Sequence, residues 1–348
     1  MSDCEGLPAL SSHAAVVSGS GPTRRSLLCS GVALAVAAYM AGPRPARAKE
    51  YKFAAALGWT TYDSGRHVLN GYKDAVAKLG GTLTMTDADS DAKKQSDQID
   101  ALVSSKPDAL FITPTDAAAI APAVRRAIAA GLPVFTGDSM VPGVAVNAAV
   151  LSNNFGMGQY TATFIAERLK GKGKIAAVTL PQNESWDQRT LGMQYALSRY
   201  PGVQVVGTWA FAPAAATTPR QAVDNLLTAH SDLEAIWCAW DGAGIEGALA
   251  VKAAGRTNIF LTGIDGGKQA FEYIKAGTPL VLTMAQSFYT MTYMDVLFAH
   301  QFLAGKKVPR LVISPVYAIT KDKLTGSTLP DNYDVPGEAA KLGWVRAL

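Results

Sequence analysis

Cysteine is scarce in this chain of 348 residues: Cys4, Cys29 and Cys238 are the whole supply. The first two fall in a segment that reads as a removable leader, so Cys238 would be left alone and no internal disulfide framework is expected. Histidine is nearly as rare. Outside the leader there are only His67, His230 and His300, none with an acidic or cysteine neighbour at metal-ligand spacing, which favours packed or solvated roles. Charge of one sign is not in excess either. Thirty-two basic against 28 acidic residues give a net of +4, too weak a field to imply nucleic acid or an anionic membrane as partner. No apolar run reaches the roughly 20 residues needed to span a bilayer. The enzyme signatures Gly-x-x-x-x-Gly-Lys-Ser/Thr, Gly-x-Ser-x-Gly, His-Glu-x-x-His and Cys-x-x-Cys are missing. Gly156-Met157-Gly158 opens a helical pattern but lacks the third glycine of a dinucleotide fingerprint. No cofactor, no metal and no catalysis are expected.

What is present begins with Thr23-Arg24-Arg25-Ser26-Leu27-Leu28, an apolar run to about Ala41, and Ala46-Arg47-Ala48. A twin-arginine pair, a short uncharged core and small residues at the cleavage positions are the layout of a twin-arginine export signal over 1–48. The run is too short for an anchor, and Ser26-Leu27-Leu28 before Cys29 is a poor lipidation site. Cleavage after Ala48 leaves 300 residues with 28 basic and 26 acidic groups, a net of +2. A periplasmic location fits, since a folded chain of this size needs no disulfide staples.

The remainder alternates short apolar runs with segments of helical period. Strands are expected at 52–57, 82–86, 109–112, 133–136, 144–146, 174–178, 203–208, 235–238, 259–262 and 280–285. Helices are expected at 64–79, 91–104, 116–130, 156–169, 187–199, 219–229, 242–254 and 268–275. Glycines after these helical patterns, such as Gly131 and Gly255, and capping aspartates before them, Asp91 and Asp116, mark the ends. Alternation of this kind implies an α/β fold of doubly wound parallel sheets. The series runs twice. The expected division is an N-terminal lobe of 49–152 plus 287–314, a C-terminal lobe of 153–286 plus 315–322, and an irregular surface tail at 323–348. A helix near 289–303 and strands near 311–313 and 316–319 carry the chain back, making three hinge crossings.

Ligands of such sheets bind beyond the carboxyl ends of the strands. The residues there include Trp59, Tyr62, Thr113, Asp138, Asn183, Arg189, Trp240, Asp265 and Gln286. Carboxylates, an amide and a guanidinium fork suit adjacent hydroxyls, and flat aromatic rings suit the C–H face of a sugar. Each residue has a plainer reading. Asp265 can cap a helix and Asp138 can order a turn. Arg189 lies in the first turn of its expected helix, where a cation needs a partner. Trp240 can pack a hinge instead of stacking on ligand. Asp87 and Asp89 read as turn residues, and Cys238 as a buried packing residue.

Several segments together resemble the type I periplasmic sugar-binding family, the ribose- and galactose-binding group. They are Asp108-Ala-Leu-Phe-Ile-Thr-Pro-Thr-Asp116, Gly131-Leu-Pro-Val-Phe-Thr-Gly-Asp138, Arg189-Thr-Leu-Gly192, Ile264-Asp-Gly266 and Met284-Ala-Gln286. The resemblance implies a hinged clamshell that closes on one monosaccharide-like ligand and docks on the membrane permease of an ABC importer, working as a monomer. It implies polar ligand contacts from Asp138, Arg189, Asp265 and Gln286. Thr113 stands where the family often has asparagine, and Asn183 where some members place a polar contact. Two segments depart from the ribose type. Trp59-Thr-Thr-Tyr-Asp-Ser-Gly65 replaces a loop with adjacent phenylalanines, and Trp240 replaces a polar residue after the strand ending at Cys238. The indole removes a hydrogen bond and reshapes the pocket, which points away from ribose and glucose. A different pentose, a deoxy sugar, a polyol or a sugar-derived acid is expected. An exported enzyme, a regulator's effector-binding lobes and a sensory binding protein serving a chemoreceptor are the rival readings. The lack of cofactor motifs counts against the first; the signal and the lack of a helix-turn-helix segment count against the second.

Overall fold

The computed structural model describes residues 50–181, 183–212, 217–326, 329 and 337–348. The expected leader, 1–48, lies outside them. Strands β1 (Tyr51–Leu57), β3 (Ala109–Thr113) and β4 (Val134–Asp138) are buried on both faces almost throughout. That is why they read as continuous apolar runs and not as alternating ones. Successive side chains still sort by face. On one face Phe53 meets Phe111 at 5.4 Å and Phe111 meets Phe135 at 6.1 Å. Helix α1 (Tyr62–Leu79) covers them, stacking Tyr72 on Phe111 at 5.2 Å. On the other face Ala54, Leu110, Ile112 and Val134 pack with Ile99 of α2 (Ala92–Ser104) and Ile120 and Val124 of α3 (Ala117–Ala129). Asp91 and Asp116 cap these two helices, accepting from the Lys94 and Ala119 amides at 2.9 Å.

The first sheet is completed by β2 (Gly81–Asp87), β5 (Ala148–Leu151) and β11 (Leu311–Ile313), in the order β11-β5-β4-β3-β1-β2, with every pairing parallel. The second contains β6 (Lys172–Thr179), β7 (Gly202–Ala210), β8 (Ala235–Cys238), β9 (Phe260–Asp265), β10 (Leu280–Gln286) and β12 (Val316–Thr320). Its order is β12-β10-β9-β8-β6-β7, parallel except for β12 against β10. Helices α4 (Asn154–Arg168), α5 (Glu184–Leu197), α6 (Pro219–Ala229), α7 (Asp241–Ala253) and α8 (Lys268–Lys275) belong to it, while α9 (Phe288–Leu303) packs against β4 and β5 of the first sheet. The chain passes between the sheets after β5, after β10, and again between β11 and β12. The doubly wound α/β fold read from the sequence is therefore the observed one.

Three local expectations are corrected. The strand expected at 144–146 lies at Ala148–Leu151. Pro142-Gly143 forms a turn, and Asn147 closes it by accepting from the Val134 amide at 2.9 Å, so pairing starts one residue later. Helix α5 starts at Glu184, with Asn183 as its N-cap, so Arg189 sits in the second turn, not the first. The tail is not wholly irregular. Among its described residues, a short helix α10 (Glu338–Lys341) leads to Trp344, which is buried against Phe271 at 5.5 Å and lies 6.0 Å from Tyr317.

Candidate functional site

The carboxyl ends of the two sheets face one another across a cavity of about 440 Å³. Trp59, Asp138, Asn183, Arg189, Trp240 and Asp265 all line it. The fold thus gathers six of the nine expected residues, which are spread over some 200 positions of sequence.

Arg189 is fully buried, which for a guanidinium demands partners. Its Nε donates to Asn154 Oδ1 at 2.9 Å, and its Nη1 donates to the Ala239 carbonyl at 2.7 Å and lies 3.1 Å from Asp265 Oδ1. Helix α5 brings it there by unusually close packing on α4. A Cβ added to Gly158 would fall 1.8 Å from the Arg189 carbonyl oxygen, and one added to Gly192 would fall 2.0 Å from that of Phe155. Gly158 is thus a packing glycine, not the remnant of a nucleotide motif.

Asp138 and Asp265 end β4 and β9 with φ of +72° and +132°. Non-glycine residues held in that region are strained, and such strain concentrates at functional positions. Asp138 is buried. The Ser185 hydroxyl donates to its carbonyl at 2.9 Å and to its Oδ2 at 3.3 Å, while Oδ1 has no partner among the described residues. Burial pushes its carboxyl up, partly offset by the Arg189 charge. Asp265 accepts from Gln286 Nε2 at 2.8 Å. Burial carries it up to about 7, against the pull of Arg189.

Gln286 does not line the cavity. It is fully buried and orients Asp265 from behind. Thr113 is not at the wall either. It ends β3 in the core, its hydroxyl 3.5 Å from the Tyr72 hydroxyl, because the strand's alternation turns it under α1. Tyr62 begins α1, and its side chain lies outside the described residues. Asn183 has both ends engaged: Oδ1 caps α5 at the Trp186 amide, and Nδ2 donates to the Thr115 carbonyl of the other sheet's edge at 2.8 Å. Ser139 and Ser185 add a further hydrogen bond across the cleft at 2.6 Å. Asp87 serves its turn, accepting from the Asp89 amide at 2.8 Å.

Trp240 packs and lines the cavity at once. Its ring stacks on Trp186 at 4.7 Å and 9°, and Phe211 lies at 5.6 Å. Trp186 was not singled out from the sequence. The signal for it is spacing: three residues before Arg189 on a helix puts it on the same face. Asp241 follows Trp240 at the carboxyl end of β8, and the sequence assigns it no contact of its own. Its Oδ2 accepts from the Gly266 and Gly267 amides at 2.7 and 3.1 Å, and Thr283 donates to Oδ1 at 2.6 Å. It thereby pins the loop that carries Asp265. Burial raises it to about 6.

A family model described as periplasmic binding protein domain matches residues 57–307. The ribose import binding protein of Bacillus subtilis is 31% identical over 71% of this chain and 79% of its own length. The xylitol-binding protein of Mycolicibacterium smegmatis is 26% identical, covering 77% and 78%. Among solved structures, an ABC transporter solute-binding protein of Agrobacterium vitis with bound D-fucose superimposes with a TM-score of 0.75 at 25% identity, covering 81% of this chain and 99% of that one.

Proposed function

This chain belongs to the periplasmic binding protein family, and on that premise we propose that it is the solute-binding component of an ABC importer, capturing a small, uncharged, hydroxylated ligand such as a sugar or polyol. One observation carries the reading. Asp138 from one sheet and the Arg189–Asp265 pair from the other share a single cavity with a stacked indole pair. Hydroxyls donate to the carboxylates, and the flat face of Trp186–Trp240 covers the ligand's C–H surface. Asp138 Oδ1, buried and without a partner among the described residues, supplies a waiting acceptor.

The charge balance at the wall argues for an uncharged ligand over the sugar acid. Asp116, Asp138 and Asp265 stand against one guanidinium, itself engaged by Asn154, Ala239 and Asp265. An anionic ligand would meet three acidic side chains and a guanidinium whose Nε and Nη1 donors are already engaged. Relatives and neighbours named for ribose, xylitol and D-fucose support a sugar or polyol as the ligand class.

The two sheets act as lobes, 49–152 with 287–314 and 153–286 with 315–322. Ligand contacts from both lobes favour the closed form by the difference in affinity between the two states. Residues 1–48 serve as a twin-arginine export signal, and the remainder works as a monomer in the periplasm and docks on a membrane permease. A thermal-shift screen across sugars, polyols and sugar acids tests the reading, because a ligand that binds only the native state raises the melting temperature. A blank with every sugar and polyol would sink it.

A further inference from the structure

Helix α8 has no side chain of its own at its N-cap. The cap position is Gly267, and α8 starts at Lys268. An N-cap side chain ordinarily accepts from the second or third amide of the helix. Here the second amide, that of Gln269, donates at 3.0 Å to Oδ2 of Asp63, a residue of the first turn of α1, beside the first sheet. The carboxylate reaches across the cleft and stands where a local cap would be. A Cβ on Gly267 would lie 3.0 Å from the Cβ and from Oδ2 of Asp63, so the missing side chain makes room for the visiting one. The two preceding amides, Gly266 and Gly267, are held by Asp241 of α8's own lobe. The segment directly after Asp265 is therefore fixed by two carboxylates, one from each lobe.

We propose that Asp63 is a closure latch: it caps α8 in trans only when the lobes meet, and so raises ligand affinity without touching the ligand. The latch rests on the reading of the chain as a two-lobed binding protein. Asp63 does not line the 440 Å³ cavity, although Thr61 and Ser64 beside it do. Within its own lobe it pairs with Arg66, Oδ1 to Nη2 at 2.7 Å, through the other carboxylate oxygen. Opening the cleft leaves that pair intact and strips α8 of its side-chain cap. Closing restores the cap, and the positive end of the α8 dipole receives a negative charge. Asp63 is a positioning residue: it steadies the loop that presents Asp265 and adds a term to the closed state that is independent of ligand chemistry.

The test uses the full-length exported protein, its Asp63→Ala and Asp63→Asn variants, and D-ribose, xylitol and D-fucose as probes. Hydrogen exchange at the Gln269 amide is measured with and without each probe, alongside calorimetry and dissociation rates. Asp63→Ala is expected to speed exchange at Gln269 while leaving Gly266 and Gly267 protected by Asp241. It should also weaken whichever probe binds by about five-fold through faster release, the size of losing one helix cap. Asp63→Asn, which can still accept from the amide but gives up the charge and the Arg66 pair, should recover part of both readouts. Equal exchange at Gln269 in the parent and Asp63→Ala proteins overturns the latch even if probes bind. Faster exchange in Asp63→Ala with no probe bound by the parent protein upholds the cap across the cleft but not its gain in affinity, and removes the ligand reading.

Discussion

The Arg189 Nη1 and the Asp265 Oδ1 meet at 3.1 Å, with 1% and 12% of their side chains exposed. The pair joins α5 to the end of β9, and its members come from segments 76 positions apart in sequence. A buried ion pair of this kind is costly to break from one side, because the survivor keeps its desolvation cost without its partner.

Replacing Arg189 with alanine is therefore expected to do more than weaken ligand binding. The Asn154, Ala239 and Asp265 acceptors all lose a donor at a buried site. We expect a stability loss of roughly 3–5 kcal/mol, measured by urea unfolding of the ligand-free protein, along with loss of binding by calorimetry. Unchanged unfolding in the variant would place Arg189 at the surface, contrary to the geometry.

Asp138→Asn separates binding from folding. Asparagine tolerates the left-handed backbone at φ +72° and keeps an acceptor for Ser185. Removing a buried carboxylate whose burial disfavours its charge should leave the melting temperature equal or higher. Affinity for a hydroxylated ligand should fall by roughly 2–5 kcal/mol. Calorimetry on a folded variant with undiminished affinity would refute the role of Asp138.

Stability and affinity should move in opposite directions with pH. Asp265 is raised to about 7 and Asp241 to about 6 in the fold, while an unfolded aspartate titrates near 3.9. A carboxyl raised on folding contributes stability that is whole below the unfolded value and is lost as pH climbs through the folded one. The ligand-free melting temperature should therefore fall between about pH 4 and 7. Ligand hydroxyls donate to the ionised carboxylates, so the ligand-induced rise in melting temperature should grow as pH passes from 5 to 8. A ligand-induced rise that shrinks over that range would contradict carboxylate acceptors at the site.

Gly192→Ala should loosen the platform that holds Arg189. The added methyl meets the Phe155 carbonyl oxygen at 2.0 Å, and backbone cannot step aside as a side chain can. Overpacking of this kind costs about 1–3 kcal/mol. Denaturant unfolding should show that loss, and calorimetry a weaker ligand, since α5 must move away from α4 and carry Arg189 and Trp186 with it.

Replacing Trp186 with alanine should lower affinity for a ligand with an apolar face while sparing the Arg189–Asp265 pair. The indole lines the cavity and stacks on Trp240, and an aromatic pair is worth about 0.5–1.5 kcal/mol beyond its buried area. A comparison of D-ribose, xylitol and D-fucose affinities in the variant checks whether the loss follows the apolar face.

The sequence by itself determined the β/α alternation, the doubly wound fold and most element ends. Those are set locally, by apolar runs buried on two faces, by helical periodicity and by caps such as Asp91 and Asp116. It also named Asp138, Arg189, Asp265 and Trp240, because residues at strand carboxyl ends are few and their chemistry is distinctive. Only the tertiary structure decided what each does. It moved Gln286 and Thr113 behind the wall, gave Trp240 a stacking partner in Trp186, and assigned Asp241 to pinning a loop. It also placed Asp63 at the start of a helix more than 200 positions away. The reason is physical. A side chain's role is fixed by its partner, and partners at this cleft come from strands and helices whose meeting depends on sheet order and on closure. No local pattern encodes either of these.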